Sequence, residues 1–243
     1  MKLDVLAIGS HPDDVELGCG GTLALLARQG HKVGILHLTR GERGTRGTAE
    51  ERLAEAERAA DARGAAELAF LDCGDGSFRL GEAEEDALIE VIRTWRPEVV
   101  LGPTPQDRHP DHARAHALVE AACFYAGLSA RAPGKGRPHR PAATFSYMQH
   151  DPFEPRFIVD VSATWEAKLA SLRAYRSQLY QPGSDPAGGG PVTKVSTPEF
   201  SFAMEGRARH FGLMIGAAYG EPFWSRLPLA VGDLMTILPG GVR

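Results

Sequence analysis

Residues 3–14 read LDVLAIGSHPDD. The apolar run at 3–9 predicts a buried parallel strand, because strands covered on both faces are almost continuously hydrophobic. A histidine and two carboxylates, His11, Asp13 and Asp14, follow the strand. Open α/β sheets place their ligands at the carboxyl ends of the strands. This segment therefore predicts the first strand of a parallel sheet and half of a metal site beside it.

Strand and helix signals alternate regularly through the first half of the chain. A helix after the first strand ends at Gly30, and Gly64 ends the helix at 49–63, because glycine is the common residue just beyond a helix. Further strands are predicted at 32–39, 67–71 and 98–102, and further helices at 82–96 and 110–126. The repeated βα order predicts an α/β fold, a Rossmann-like three-layer sandwich with a mostly parallel sheet.

The second half is less regular. Strands are predicted at 144–148 and 157–161, a helix from Trp165 to about Leu179, and a helical region at 199–219. The Pro- and Gly-rich stretch at 129–141 predicts an exposed loop, and that at 181–190 predicts a lid. We expect a single domain over residues 1–243, with a βα core at 1–126 that carries the metal site and with 127–243 completing it.

Composition limits the class of function. The 243 residues carry a formal net charge of −4 and no long basic block, which argues against nucleic-acid binding through phosphates. No apolar run approaches the roughly 20 residues that cross a bilayer. The chain enters a strand directly after Met1 and Lys2, without a signal-peptide pattern, so we expect a cytoplasmic protein. Cys19, Cys73 and Cys123 are interpreted as unpaired small thiols.

A second polar cluster follows the fourth predicted strand, where residues 106–112 read QDRHPDH. If strands one and four are neighbours, the two His-Pro-Asp clusters face the same crevice. A hydrolytic zinc site uses three nitrogen or carboxylate ligands and leaves one position for water. The spacing assigns these ligands to His11, Asp14 and His112.

The remaining polar residues of the two clusters then have chemical roles. Asp13 is the carboxylate that takes a proton from the attacking water. Protonated His109 stabilises an oxyanion or gives a proton to the leaving amine. Asp111 holds a histidine ring nitrogen and fixes its charge. Alternatively, Asp13, Asp14 or Asp111 only caps a helix.

Other residues have weaker claims. His116, one helical turn after His112, is a rival ligand or a packed histidine, and His150 could reach the site from a later loop. Glu42 and Arg46 could hold hydroxyls or an anionic group of a substrate, or they could belong to a solvated loop. Asp75 could bind hydroxyls, or it could only form a turn with Gly76. The glycines at 18–21 lack the spacing of a dinucleotide site.

The motifs together resemble those of the PIG-L/LmbE-like N-acetylglucosaminyl deacetylases. They are SHPDD at 10–14, TRGE at 39–42 with GTRG at 44–47, and HPDH at 109–112. The later stretches 157–162, 174–178 and 215–223 look like the branch that serves bacillithiol biosynthesis. The resemblance covers nearly the whole chain and is strongest over 1–126.

The resemblance implies a zinc-dependent N-deacetylase with His11, Asp14 and His112 as ligands and Asp13 as base. It implies that His109 is the acid or oxyanion stabiliser with Asp111 as its partner. It further implies substrate binding by Arg46 and Asp75, a substrate such as N-acetylglucosaminyl malate, and a hexamer. Fe²⁺ or another divalent ion is an alternative to Zn²⁺. Another acetylated sugar, a chitooligosaccharide, an aminoglycoside or a peptide amide stays open as substrate, as does a metal-stabilised sugar-binding protein without catalysis.

Overall fold

The fold was obtained as a computed structural model that describes residues 2–181, 183 and 190–233. The strands in this part of the chain are Val5–Gly9 (β1), Val33–His37 (β2), Glu67–Phe70 (β3), Val99–Gly102 (β4), Ala143–Tyr147 (β5), Phe157–Asp160 (β6) and Gly220–Trp224 (β7). The α-helices are Asp14–Arg28 (α1), Ala49–Arg63 (α2), Glu82–Trp95 (α3), Pro110–Tyr125 (α4), Trp165–Arg173 (α5) and Pro198–Met214 (α6). None of the described helices is both long enough and apolar enough to cross a bilayer.

The strands form one sheet in the order β3-β2-β1-β4-β5-β7-β6. Strands β1 to β5 pair in parallel, whereas β7 is antiparallel to both β5 and β6. The predicted α/β sandwich with a mostly parallel sheet is therefore confirmed. The pairing of β1 with β4 places the loops that follow these two strands next to each other.

Two helical layers cover the sheet, and β1 shows how its side chains divide between them. Leu6 and Ile8 pack into the core beneath α3 and α4. Val5 and Ala7 point to the opposite face and pack against residues of α1. All five residues of β1 are buried, which explains why its sequence reads as a continuous apolar run.

The helix predicted to reach Leu179 ends earlier, at Arg173. The backbone N–H and the hydroxyl of Ser177 both donate to the carboxylate of Glu55 on α2, at 2.8 and 2.7 Å. Tyr175 is fully buried. These tertiary contacts turn the chain away from the helix axis, and local propensity did not indicate them. The lid predicted at 181–190 lies for the most part outside the described residues.

The helical region predicted at 199–219 was wrong at its end, because α6 stops at Met214 and β7 begins at Gly220. Gly216 has a φ of 72°, a conformation that ends a helix. The chain then folds back so closely that a Cβ on Gly212 would lie 2.8 Å from the Ala217 carbonyl oxygen. Strand β7 itself was not predicted, since Gly220 and Pro222 both argue against a strand in the sequence.

The loop at 129–141 carries no helix or strand, as predicted, but it is less exposed than expected. Ala132 is buried, and Arg93 on α3 reaches under the loop. The guanidinium of Arg93 donates to the carbonyl oxygens of Ala126, Leu128, Arg131 and Ala132, at 2.8 to 3.0 Å. This buried cation therefore fixes the start of the loop against α3.

Helix α1 is interrupted near its middle, and a buried ion pair caps both sides of the interruption. Cys19 has non-helical φ and ψ of −142° and 22°. The Glu221 carboxylate accepts hydrogen bonds from the backbone N–H groups of Gly21 and Thr22, at 3.0 and 2.7 Å. Lys168 donates to the Leu17 carbonyl oxygen at 2.9 Å and to Glu221 at 2.6 Å. The pair thus satisfies backbone groups that a continuous helix would pair internally.

We predict that Glu221→Gln lowers the free energy of unfolding by about 3–5 kcal/mol, because it leaves the buried Lys168 cation uncompensated. Glu205→Gln, which breaks the exposed Arg209–Glu205 pair, is the matched control and should change the free energy by about 0–1 kcal/mol. Urea unfolding of both variants measures the difference. Equal effects in the two variants would contradict the capping role.

Candidate metal centre at the carboxyl edge of the sheet

A strained turn joins β1 to α1 and sets the direction of the first cluster. Asp13 has a φ of 101° and a ψ of −23°, a left-handed conformation that costs free energy for a residue with a Cβ. The buried Arg52 of α2 donates to the Pro12 carbonyl oxygen at 2.6 Å and to the Gly41 carbonyl oxygen at 3.1 Å. The backbone N–H of His11 donates to Asp14 Oδ2 at 2.8 Å. Packing around the turn therefore holds it in a conformation that brings His11 and Asp14 together.

The structure brings together the three predicted ligands. Asp14 Oδ2 lies 3.4 Å from His11 Nδ1, and Asp14 Oδ1 lies 3.3 Å from His112 Nε2. Donor atoms around a tetrahedral zinc ion are separated by about 3.3 Å, since each lies about 2.0 Å from the ion. The donor types suit a divalent ion, and one oxygen of Asp14 faces each histidine.

Three groups of the described residues bring single donor atoms within 4.8 Å of one another, and the set of His11, Asp14 and His112 is not one of these groups. Single donor atoms of His11, His109 and His112 all lie within 4.8 Å of one another. The same holds for Asp107, His112 and His150, and for His11, Asp75 and Asp111. His109 is therefore an alternative third ligand on geometry, and the choice of Asp14 rests on its direct contacts with both His11 and His112.

Carboxylates surround the far sides of the two histidines. Asp75 Oδ1 and Asp111 Oδ2 lie 3.1 and 3.2 Å from His11 Nε2. Asp107 Oδ1 lies 3.0 Å from His112 Nδ1. Carboxylates in this position orient imidazole ligands and raise their basicity.

Asp111 holds a histidine ring nitrogen, but that of His11 and not that of His109, the partner that the family resemblance implies. Its carboxylate also accepts from the Gly76 N–H at 2.8 Å and from Arg114 at 3.0 Å. Strand order explains this partner, because the loop after β4 lies beside the loop after β1.

The charge balance of the cluster favours a cation. Burial lowers the pKa of His112, but contacts with Asp14 and Asp107 outweigh burial and raise it to about 9. Burial likewise lowers the pKa of His11, and Asp111, Asp14 and Asp75 reverse this and hold it well above its usual value. Burial raises the pKa of Asp14, but His112 and His11 hold it well below the usual range.

Asp13 lies beside the cluster as a buried carboxyl. Its Oδ1 is 3.9 Å from an Arg52 guanidinium nitrogen, too far for a close ion pair. Burial raises the pKa of Asp13 to about 7, with Arg52 opposing the shift and Asp14 adding to it. A carboxyl with a pKa near neutrality is suited to both taking and giving a proton.

His109 caps the start of α4 and lies beside both histidines of the site, with ring centroids 4.8 Å from His11 and 5.0 Å from His112. The Asp111 backbone N–H donates to His109 Nδ1 at 3.2 Å, which assigns the ring hydrogen of the neutral form to Nε2. Burial and the two neighbouring histidines lower the pKa of His109. A neutral ring would offer its Nε2–H as a hydrogen-bond donor, and the protonated ring that the sequence suggested stays a prediction.

The residues predicted to bind substrate make contacts within the protein. The Glu42 carboxylate accepts from the Asp75 N–H at 2.7 Å and from the Arg40 N–H at 3.1 Å. Arg46 donates to the carbonyl oxygens of Ser177 and Pro191, at 2.8 and 3.2 Å. Asp75 faces His11 and also accepts from the Arg43 N–H at 2.8 Å. These contacts hold Glu42 and Arg46 against neighbouring loops and place Asp75 beside His11, and substrate binding by the three residues stays a prediction.

Two residues at the site had no role assigned from the sequence. Asp107 belongs to the second cluster, and its spacing from His112 could have indicated an orienting carboxylate. Gln149 follows β5, and its amide contacts Asp14 Oδ1. No local pattern points to Gln149, because its partner lies 135 residues earlier in the chain.

Of the histidines with weaker claims, His150 lies beside the site, whereas His116 packs elsewhere. The His150 ring stacks on His112, with centroids 5.7 Å apart and 6° between the planes, and burial lowers its pKa to about 4. His116 instead contacts the Pro103 carbonyl oxygen at 3.0 Å, as a packed histidine does. Burial raises the pKa of Cys73 to about 11 and that of Cys123 to about 12, so both are protonated thiols.

Comparison with known proteins gives consistent similarities. Residues 6–123 match the family described as PIG-L: GlcNAc-PI de-N-acetylase. The chain is 35% identical over 193 residues to diacetylchitobiose deacetylase of Thermococcus kodakarensis, covering 72% of this chain and 70% of that one. It is 28% identical over 189 residues to 4-oxalmesaconate hydratase of Pseudomonas putida, covering 71% and 73%.

Solved structures with a similar fold include proteins of the same kind. The conserved protein TT1542 from Thermus thermophilus superposes with a TM-score of 0.84 at 39% identity, over 96% of this chain and 98% of that one. The N,N'-diacetylchitobiose deacetylase from Pyrococcus horikoshii gives a TM-score of 0.79 at 25% identity, over 96% and 88%. On the fold, the matched residues and these similarities, the chain belongs to the PIG-L family of GlcNAc-PI de-N-acetylases.

Proposed function

We propose that this protein is a metal-dependent hydrolase that removes the N-acetyl group from an N-acetylglucosamine conjugate. The observation that carries the proposal is the convergence of His11, Asp14 and His112 with Asp13 and His109 at one edge of the sheet. A ligand set, a buried carboxyl with a pKa near 7 and a neutral imidazole donor are the parts that amide hydrolysis needs.

His11, Asp14 and His112 would hold the ion, with Zn²⁺ favoured and Fe²⁺ the alternative for this donor set. A divalent ion in this position supplies Lewis-acid polarisation of the acetamide carbonyl and lowers the pKa of the attacking water. Asp75 and Asp111 orient His11, and Asp107 orients His112, so that the two rings keep their positions while charge develops.

Asp13 takes the proton from the attacking water. Its burial raises the energy of its charged form and therefore strengthens it as a base. The same carboxyl, once protonated, can give that proton to the leaving nitrogen, which departs as the free amine. His109 donates its Nε2–H to the oxygen that becomes negative in the tetrahedral intermediate, and it needs no change of protonation to do so.

The identity of the substrate beyond the acetamido sugar is a finer proposal. N-acetylglucosaminyl malate is the substrate implied by the bacillithiol branch, and with it a cytoplasmic, hexameric enzyme. Relatives named for diacetylchitobiose and for an N-acetylglucosamine-type inositol conjugate support the acetamido sugar as the common part. A relative named as a hydratase keeps a second reaction class open, because it has similar coverage and identity.

Asp13→Asn should lower kcat by at least about a hundredfold while zinc stays bound, because asparagine keeps the size of the side chain and removes the proton acceptor. Asparagine also tolerates the left-handed backbone of this position, which alanine does not. Asp61→Asn, on the exposed face of α2, is the matched control. Near-normal turnover of Asp13→Asn with full metal content would rule out the base.

Removal of the metal with a chelator should abolish acetate release, and Zn²⁺ should restore it. The metal-free protein should also melt at a lower temperature, since a ligand that binds only the folded state stabilises it by roughly 3–4 kcal/mol at 100 to 1,000 times its Kd. A metal-stabilised binding protein would show the change in melting temperature with no acetate release. Turnover that survives verified metal removal would contradict the proposal.

Acetate release from a panel of conjugates should identify the substrate class. The panel is N-acetylglucosaminyl malate, N-acetylglucosaminyl inositol and diacetylchitobiose, each assayed for equal amounts of acetate and free amine. We expect the highest kcat/KM for the malate conjugate. Absence of acetate from all three, with hydration of 4-oxalmesaconate, would contradict the deacetylase and favour a hydratase.

A further inference from the structure

Gln149 is a buried amide in direct contact with the candidate metal centre. It lies two residues after β5, and its side chain is 3% exposed. Its Nε2 donates to Oδ1 of Asp14. Because Gln149 reaches the site from the second half of the chain, it links the irregular region to the two His-Pro-Asp clusters.

With this contact, each oxygen of the Asp14 carboxylate accepts a hydrogen bond. Oδ2 accepts the backbone N–H of His11 at 2.8 Å, and Oδ1 accepts the Gln149 amide. With a donor on each oxygen, the carboxylate cannot rotate about its bond to Cβ without losing a hydrogen bond. Its plane is therefore fixed, and Oδ1 stays 3.3 Å from His112 Nε2.

The loop around Gln149 is itself fastened to the site. Arg207 of α6 donates to the Gln149 carbonyl oxygen. The backbone N–H of His150 donates to Asp107 Oδ2 at 3.1 Å, and the other oxygen of Asp107 faces His112. Two consecutive residues thus support two candidate ligands, Asp14 directly and His112 through Asp107.

Only one of the two polar atoms of the Gln149 amide has a hydrogen-bond partner among the described residues. Its Oε1 is buried and has no hydrogen-bond partner among the described residues. An unpaired buried acceptor destabilises a fold, so a polar residue retained in this state calls for an explanation outside stability. The contact with Asp14 supplies that explanation.

We propose that Gln149 is a positioning residue that holds the Asp14 carboxylate in the orientation required for metal binding. The proposal rests on the proposed function only in taking Asp14 as a ligand. It extends the site to a residue that lies outside the sequence motifs. Loss of the amide should weaken metal binding without weakening the metal-free fold.

The experiment compares Gln149→Met with wild type, because methionine has a similar volume and cannot donate to Asp14. Competition with a chromogenic chelator should show a Kd for Zn²⁺ raised about 10–100-fold, the range for loss of a group that orients a ligand. The melting temperature of the metal-free variant should equal or exceed that of metal-free wild type, because the unpaired acceptor is removed. Gln29→Met, at the exposed end of α1, is the matched control and should leave both values unchanged.

The absorption spectrum of the Co²⁺-loaded proteins adds a measurement that a merely structural role would not change. We expect Gln149→Met to alter the visible bands that report coordination geometry, whereas Gln29→Met keeps the wild-type spectrum. If Gln149→Met is insoluble, Gln149→Ala replaces it, since alanine adds no atoms to the core. A wild-type Kd in a folded Gln149 variant overturns the positioning role alone, whereas wild-type protein that binds no Zn²⁺ overturns the proposed function as well.

Discussion

At the end of β1 the chain enters α1 through Asp13, a residue with a Cβ held at a φ of 101°. This conformation lets His11 and Asp14 approach each other at 3.4 Å while the carboxyl between them lies beside the cluster. A turn without this strain would place His11, Asp14 and Asp13 at different distances from one another. The cost of the strain is offset by contacts from elsewhere, above all by the buried Arg52 that binds the Pro12 carbonyl.

The electrostatics of the site follow from this approach. Asp14 lies between two histidines, and further carboxylates face their outer nitrogens, so burial leaves an excess of negative charge close to the imidazoles. In the metal-free protein a proton on His112 balances part of that negative charge, as the pKa of about 9 for His112 indicates. A divalent ion would balance the same charge and release protons on binding, so the charge of this cluster suits a candidate metal centre.

The second half of the chain completes what the first half begins. Gln149 fixes Asp14, and Glu221 with Lys168 caps the interruption in α1 that starts a few residues after the strained turn. Glu221 belongs to β7, which lies between β5 and β6, an arrangement that the sequence did not predict. Pro222 and Gly220 made that strand hard to predict from the sequence. The contacts of Ser177 with Glu55 end α5 earlier than predicted.

The sequence by itself determined the βα order of the first half and the residue types at the ends of β1 and β4, because apolar runs and local spacing are properties of neighbouring residues. Only the tertiary structure decided which carboxylate faces which histidine. Asp111 contacts His11 across 100 residues, and Gln149 donates to Asp14 across 135. Such partners are set by strand order and loop packing, which bring distant residues together and leave no pattern in the local sequence.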